Sequence, residues 1–332
     1  MVYLKRTDMT ELYKWQAKDY KALSNMLGRH GQTLLISARN GIGQDILIQK
    51  YTALLMCENP QKIDSVSYAC NKCESCTLLI NDNHPDIYQL VVDPESDKKN
   101  ISTEDIRQML DFVATTTHLG QCKIVLIPNV DLLSINSANA LLKILEEPPS
   151  YVCFILQTTN ISGILPTIRS RCHIYKLSEV NIPDAADYVD NSGIFKPAFW
   201  LKFYDNAPLF ELQASEEQFN ALVSTLLQPS IENIFKASSE FDAKNAPFLI
   251  DFLSKWLSDM AGFLQGAPMC YFADYSNQVE NLAKRIELHK IYYLFDKVNF
   301  LQDWTLHPLN YKLQLENLLL QYQNLFVKQS LK

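Results

Sequence analysis

The chain has 332 residues, 47% of them hydrophobic, with few glycines and prolines, which is the composition of folded domains and excludes a disordered or fibrous protein. That length allows two or three domains. The formal net charge is −7 and no long Lys/Arg run occurs, so autonomous gripping of DNA by a broad basic face is disfavoured.

Residues 1–18 carry no apolar run with a small-residue cleavage site, and no stretch approaches the ~18 apolar residues of a membrane span. A soluble, cytoplasmic protein without a membrane partner is the expectation. In a reducing compartment, clustered cysteines among the eight present point to metal rather than disulfides.

The first apolar run, Thr33 to Ser37, leads into Ala38-Arg39-Asn40-Gly41-Ile42-Gly43-Gln44-Asp45 and then a helical pattern from Ile46. This is where G-x-x-x-x-G-K-[ST] would cradle a triphosphate, after a buried strand and opening a helix. Gly41 and Gly43 are present, but Ala38 stands at the first glycine position, Gln44 at the lysine and Asp45 at the Ser/Thr. Gln brings no charge to the β/γ-phosphates, and a carboxylate in place of the Mg²⁺-holding hydroxyl repels them. The segment reads either as a degenerate phosphate loop or as a plain glycine-containing turn.

Cys70, Cys73 and Cys76 follow C-x-x-C-x-x-C spacing, and Cys57 lies upstream of a segment that reads as polar and turn-like. Four thiolates close a tetrahedral, structural Zn²⁺ shell. An iron–sulfur cluster and incidental thiols are the competing readings, and His84 ranks behind Cys57 as fourth ligand. Zinc would fold an insertion over 57–76 that has too little apolar sequence for its own core. Cys122, Cys153, Cys172 and Cys270 are scattered and read as core residues.

Further strands are expected at 87–92, 124–127, 152–156 and 173–177, as near-continuous apolar runs suited to burial on both faces. Between them, Ser102 is a good N-cap with Asp105 three residues on, before Ile106, Leu110 and Val113 at helical spacing. A second helix covers 134–147 with Leu141, Leu142 and Leu145 inward, stopped by Pro148-Pro149. Strand–helix alternation predicts an α/β parallel sheet with right-handed crossovers. The strand at 124–127 ends in Pro128-Asn129, where an ATPase needs an acidic residue for Mg²⁺ and a base for water. Neither residue fills those roles.

Before the last strand, Leu165-Pro166-Thr167-Ile168-Arg169 leads into Ser170-Arg171-Cys172. An arginine on a short helix there is either a solvated surface residue or a finger that neutralises phosphoryl charge in a neighbouring subunit. After 177 the strand signal fades. A small helical unit is expected over 181–212, then amphipathic helices at 216–227, 246–264, 277–298 and 309–326.

The run Asn139-Ala140-Leu141-Leu142-Lys143-Ile144-Leu145-Glu146-Glu147-Pro148-Pro149, the Ser170-Arg171-Cys172 motif and the four cysteines together resemble the AAA+ subunits of bacterial clamp loaders. The resemblance covers about residues 15–177 closely and the all-α remainder in outline. Loss of the lysine and acidic positions with retention of the cysteines and Arg171 resembles the delta-prime branch of that family, in the DNA polymerase III holoenzyme. It implies a RecA-like AAA+ domain over 1–178, a helical lid over 179–213 and a helical collar for oligomerisation over 214–332. It implies no ATP hydrolysis, structural zinc, and partners among motor (gamma/tau) and delta subunits, with the sliding clamp and primer–template DNA met through the complex. Arg171 would act as a trans arginine finger set in place by Ser170, with Cys172 packed inward. The family's sensor position falls near Thr158-Thr159-Asn160. Three other readings compete: an active ATPase with an unusual loop, a zinc-dependent nucleic-acid-binding module, and a passive scaffold. The second needs basic residues around the cysteines, yet Glu58, Asp64 and Glu74 offset Lys62 and Lys72.

Overall fold

The apolar runs of the first half become one parallel sheet. A computed structural model describes residues 12–26, 32–92, 100–119, 122–191, 198–239, 245–303 and 311–326. In chain order it contains α1 (Ala17–Ser24), β1 (Thr33–Ser37), α2 (Gln44–Met56), β2 (Gln61–Ile63), β3 (Val66–Tyr68), α3 (Glu74–Ile80), β4 (Ile87–Gln89), α4 (Thr103–Ala114), β5 (Lys123–Ile127), α5 (Ile135–Glu146), β6 (Val152–Thr158), α6 (Pro166–Arg169) and β7 (His173–Lys176). Strand order is β4-β5-β6-β1-β7, with every pairing parallel. Every residue of β5 and β6 is buried, because helices cover both faces of a sheet joined by crossovers. β4 is shorter than the expected 87–92. It is an edge strand with one neighbour, and its ladder closes with Leu90 N–H donating to Leu126 O.

Local chemistry sets the helix starts. Ser102 and Asp105 form a reciprocal capping box on α4, and Ser134 Oγ accepts from Ser137 N–H on α5. Ile106, Met109 and Val113 of α4 meet Leu141 and Leu145 of α5 in one core with Phe154 and Leu156. Leu142 lies only partly buried at the edge of that core.

The segment between Cys57 and Cys70 is more ordered than its polar composition implies. It folds into the antiparallel hairpin β2–β3, turning at Asp64 and Ser65, which both have positive φ. Two successive left-handed residues make the tight turn that matches strand twist. Tyr20 ties the hairpin to α1, stacking on Tyr68 and donating to Ser67 O at 3.0 Å.

The described chain divides into two compact units, residues 1–184 and 185–332. α7 (Ile182–Asn191) begins at the boundary, followed by α8 (Ala198–Phe203), α9 (Glu216–Leu227), α10 (Ile231–Ser239), α11 (Ala246–Leu264), α12 (Ser276–Ala283), α13 (Leu288–Asp303) and α14 (Tyr311–Asn324). In the second unit Trp200, Phe203, Phe219, Phe252 and Phe272 share one aromatic cluster, so α8 packs with α9 and α11. Three expectations change here. The single helix at 277–298 is two, α12 and α13, because the chain turns after Ala283 so that both segments lay buried residues on α11. α10 appears where no helix was expected. Cys270 is exposed rather than core, since the Asp259 carboxylate pins the backbone N–H groups of Cys270, Tyr271 and Phe272 and leaves the thiol outside. The first two residues of the helix expected at 309–326 lie outside the described residues. Among the described residues no helix is long and apolar enough to cross a membrane.

Candidate functional site

The glycine loop runs from the end of β1 to the start of α2. Gly41 and Gly43 take positive φ, 79° and 77°, where side chains are strained. A Cβ at Gly43 would lie 2.6 Å from the Tyr13 ring, so the segment before α1 sits directly on the loop. Tyr13 stacks on Trp15, whose Nε1–H donates to Ile42 O at 2.9 Å, and Gln16 Nε2 donates to Gly43 O at 2.6 Å. No local pattern in the sequence ties these residues to the loop. Gln44 and Asp45 open α2, at the positions of the missing lysine and hydroxyl.

Asp45 is half-buried, and its Oδ1 has no hydrogen-bond partner. Burial pushes its carboxyl up to about 6. The native state thus holds the proton more tightly than the unfolded chain between the ordinary carboxylate value and about pH 6. Stability falls as pH rises through that window, and the penalty is complete above it. Asp45→Asn is expected to stabilise the protein at pH 8 by about 1–3 kcal/mol and to do little at pH 4. Urea unfolding of variant and parent at both pH values checks this; equal differences at the two would refute it.

At the end of β5, Pro128-Asn129 is followed by Asp131, the nearest carboxylate. Asp131 Oδ1 accepts from Thr158 Oγ1 at 2.6 Å and Oδ2 from Thr159 N–H at 3.2 Å. Asn160 Oδ1 accepts from Gly163 N–H, and Asn160 N–H donates to Thr158 Oγ1. At the expected sensor position the Thr158 hydroxyl and Thr159 N–H thus tie the end of β6 to the turn after β5, and Asn160 caps the turn that follows β6.

The Sγ atoms of Cys57, Cys70, Cys73 and Cys76 all lie within 4.8 Å of one another. A tetrahedral zinc with bonds of about 2.3 Å needs sulfur pairs about 3.8 Å apart, so the set fits with a small contraction. Cys57 ends α2, the hairpin returns the chain to Cys70, and Cys73 caps α3 by accepting from Cys76 N–H. Cys70 N–H donates to Cys57 Sγ at 3.1 Å and Cys73 N–H to Cys70 Sγ at 3.4 Å. Backbone N–H groups of Lys72 and Cys73 lower the Cys70 thiol to about 6, while burial raises Cys57 and Cys76. A cation is what would draw the last protons from the buried pair. His84 stands apart from this set, its ring nitrogens engaged by Ser75 Oγ at 2.8 Å and Asp86 N–H at 3.2 Å.

Arg171 follows α6, whose end Ser170 closes by donating Oγ–H to Thr167 O. The guanidinium is about one-third exposed. Nη1 donates to Thr167 O at 2.9 Å and Nη2 to Glu146 Oε1, the last residue of α5, at 2.7 Å. Cys172 packs against the sheet core, and burial raises its thiol to about 12. The loop, the cysteine cluster and Arg171 lie at three separate places in the first unit: the start of α2, the α2–α3 insertion and the turn before β7. Asp131 is legible in the sequence as the nearest carboxylate beyond the strand end, and Glu146 as part of the Leu145-Glu146-Glu147-Pro148 run, but their partners Thr158 and Arg171 are not.

The family described as "DNA polymerase III, delta subunit" matches residues 15–181, and "DNA polymerase III, delta subunit, C terminal" matches 211–324. The chain is 36% identical over 167 residues to the DNA polymerase III subunit delta' of Pseudomonas aeruginosa, covering 49% of this chain and 48% of that one. It is likewise 36% identical over 168 residues to the delta' subunit of Escherichia coli K12, covering 50% and 48%. Against the gamma subunit of Buchnera aphidicola subsp. Schizaphis graminum it is 36% identical over 171 residues, covering 51% and 45%. The chain thus spans about half the length of the curated relatives it matches. With a parallel sheet followed by a helical unit, and a family match across residues 15–181, this chain belongs to the DNA polymerase III delta family.

Proposed function

We propose that this chain is a clamp-loader subunit without ATPase activity of its own, acting in the cytoplasm within a ring of gamma/tau motor subunits and delta that loads the sliding clamp onto primed DNA. Arg171 serves as the finger that completes the ATP site of an adjacent motor subunit, with Ser170 setting the turn that carries it. Residues 1–178 form its AAA+ domain, 179–213 the lid and 214–332 the collar through which it joins the ring. The cysteine set holds a structural Zn²⁺ that fastens the hairpin to α2 and α3.

One observation carries the reading: the loop that should hold phosphate has Asp45 under it and Tyr13 on it, while Arg171 stays exposed at the protein surface. A carboxylate at the Mg²⁺-ligand position and no lysine leave nothing to offset triphosphate charge. The test is to mix the chain with purified motor subunits and measure complex mass and ATP turnover, with titration calorimetry on the chain alone. A hetero-oligomer that hydrolyses ATP, and a solitary chain with neither turnover nor micromolar Mg-ATP affinity, are the expected results. Turnover by the chain alone would refute the reading.

A further inference from the structure

Arg171 does not stand free in solvent. Its Nη2 reaches Glu146 Oε1 at 2.7 Å and its Nη1 reaches Thr167 O at 2.9 Å, with Ser170 Oγ at 3.5 Å. The Nε–H and the second Nη2–H make no hydrogen bond among the described residues. The head borders an open groove of about 480 Å³, lined also by Gln32, Thr33, Pro148 and His173. Thus the guanidinium is held on one side by its own chain and presents unused donors on the other.

Glu146 is an odd residue for its position. It is the last residue of α5, where unpaired carbonyls concentrate negative charge and a carboxylate is destabilising. The pair with Arg171 offsets that cost. A surface ion pair contributes little to stability, so stability alone gives weak reason for it. What the pair does provide is direction. An arginine side chain has four rotatable bonds, and immobilising it costs conformational entropy. A finger already fixed before it meets phosphate avoids that cost in the transition state.

We propose that Glu146 is the positioning residue of the finger: it takes one Nη2 hydrogen of Arg171 and orients the guanidinium so that its remaining donors face the neighbouring subunit's γ-phosphate. The carboxylate never touches nucleotide. This inference rests on the finger role proposed above. α5 is packed into the sheet core through Leu141 and Leu145, so Glu146 is carried on a rigid base.

The test uses the complete complex reconstituted with each variant: Glu146→Ala, Glu146→Gln, Arg171→Ala and the Glu146→Ala/Arg171→Ala double variant. Glu146→Ala is expected to lower kcat for ATP about 5- to 30-fold, with KM for ATP and complex mass unchanged. Glu146→Gln, which keeps an acceptor oxygen, is expected to recover most of the loss. The double variant is expected to match Arg171→Ala alone, because a positioning residue has nothing left to position. If Arg171→Ala lowers kcat and Glu146→Ala does not, the positioning role is wrong and the finger stands. A rise in kcat for Glu146→Ala also overturns it, since the carboxylate would then be restraining the finger. If Arg171→Ala itself has no effect, the finger reading fails first. Additive losses in the double variant would show that Glu146 acts elsewhere.

Discussion

Arg171→Ala, introduced into the reconstituted complex, is expected to lower ATP turnover at the site it faces by about 10³-fold while leaving complex mass unchanged. Trans fingers are worth 10³–10⁵ in rate, because a planar, permanently charged fork meets the charge that builds on the γ-phosphoryl oxygens. The loss should fall on kcat, since the interaction strengthens in the transition state. Arg171→Lys keeps the charge but loses the fork, and is expected to recover little. The measurement is single-turnover hydrolysis with clamp and primed DNA present, using motor subunits whose other sites are disabled. Assembly should survive because, among the described residues, the guanidinium hydrogen-bonds at the surface to Glu146, the Thr167 carbonyl and Ser170. Unchanged turnover would leave the chain a passive scaffold.

The second large effect concerns the cysteines. Cys73→Ser is chosen because Cys73 has two jobs that the substitution separates. Its sulfur accepts from Cys76 N–H as the N-cap of α3, and serine caps helices well. Serine is a poor zinc ligand in a thiolate set, so the cap is kept while the metal shell is broken. Purified parent protein is expected to carry one zinc per chain by elemental analysis, and the variant well under half. Structural zinc contributes ~10–16 kcal/mol to folding in small zinc domains. Hydrogen-exchange protection over 57–80 should therefore collapse in the variant, while β1, β5 and β6, buried in the main core, keep theirs. Full zinc occupancy in Cys73→Ser, or an iron–sulfur absorption band in the parent, would contradict the proposed metal. Lower pH should release the metal from the parent too, because protons compete for the Cys57 and Cys76 thiols that burial has already raised.

Much of the fold is written in short-range pattern. The apolar runs at 124–127 and 152–156 became doubly buried parallel strands, whereas those at 87–92 and 173–177 became the less buried edge strands β4 and β7; Ser102 and Ser134 start helices as their capping chemistry requires, and Pro148-Pro149 follows the end of α5. The spacing of Cys70, Cys73 and Cys76 was likewise legible, because residues three apart at a turn entering a helix converge without help from the rest of the chain. Loss of charge at Gln44 and the acidic Asp45 is a matter of residue identity and needs no coordinates. By contrast, a polar run such as 58–69 lacks an apolar pattern, so its hairpin shows only once Asp64 and Ser65 take left-handed conformations.

What decided the rest was distance along the chain. Asp131 meets Thr158 across 27 residues because β5 and β6 end side by side, and Glu146 meets Arg171 across 25 because α5 and α6 pack together. Tyr13 lies on Gly43 because α1 docks on α2, and no local pattern records that docking. A sequence names the groups that carry charge, cap helices or bind metal. Which of two distant carboxylates reaches an arginine depends on the packing of the core beneath them. The sequence by itself thus determined that Gln44 and Asp45 stand where a phosphate loop has its lysine and hydroxyl, and that Arg171 and four clustered cysteines are present. Only the tertiary structure decided that Tyr13 lies on Gly43, that the four cysteine sulfurs gather in one place, and that Arg171 is held by Glu146, because each depends on long-range packing rather than on local pattern.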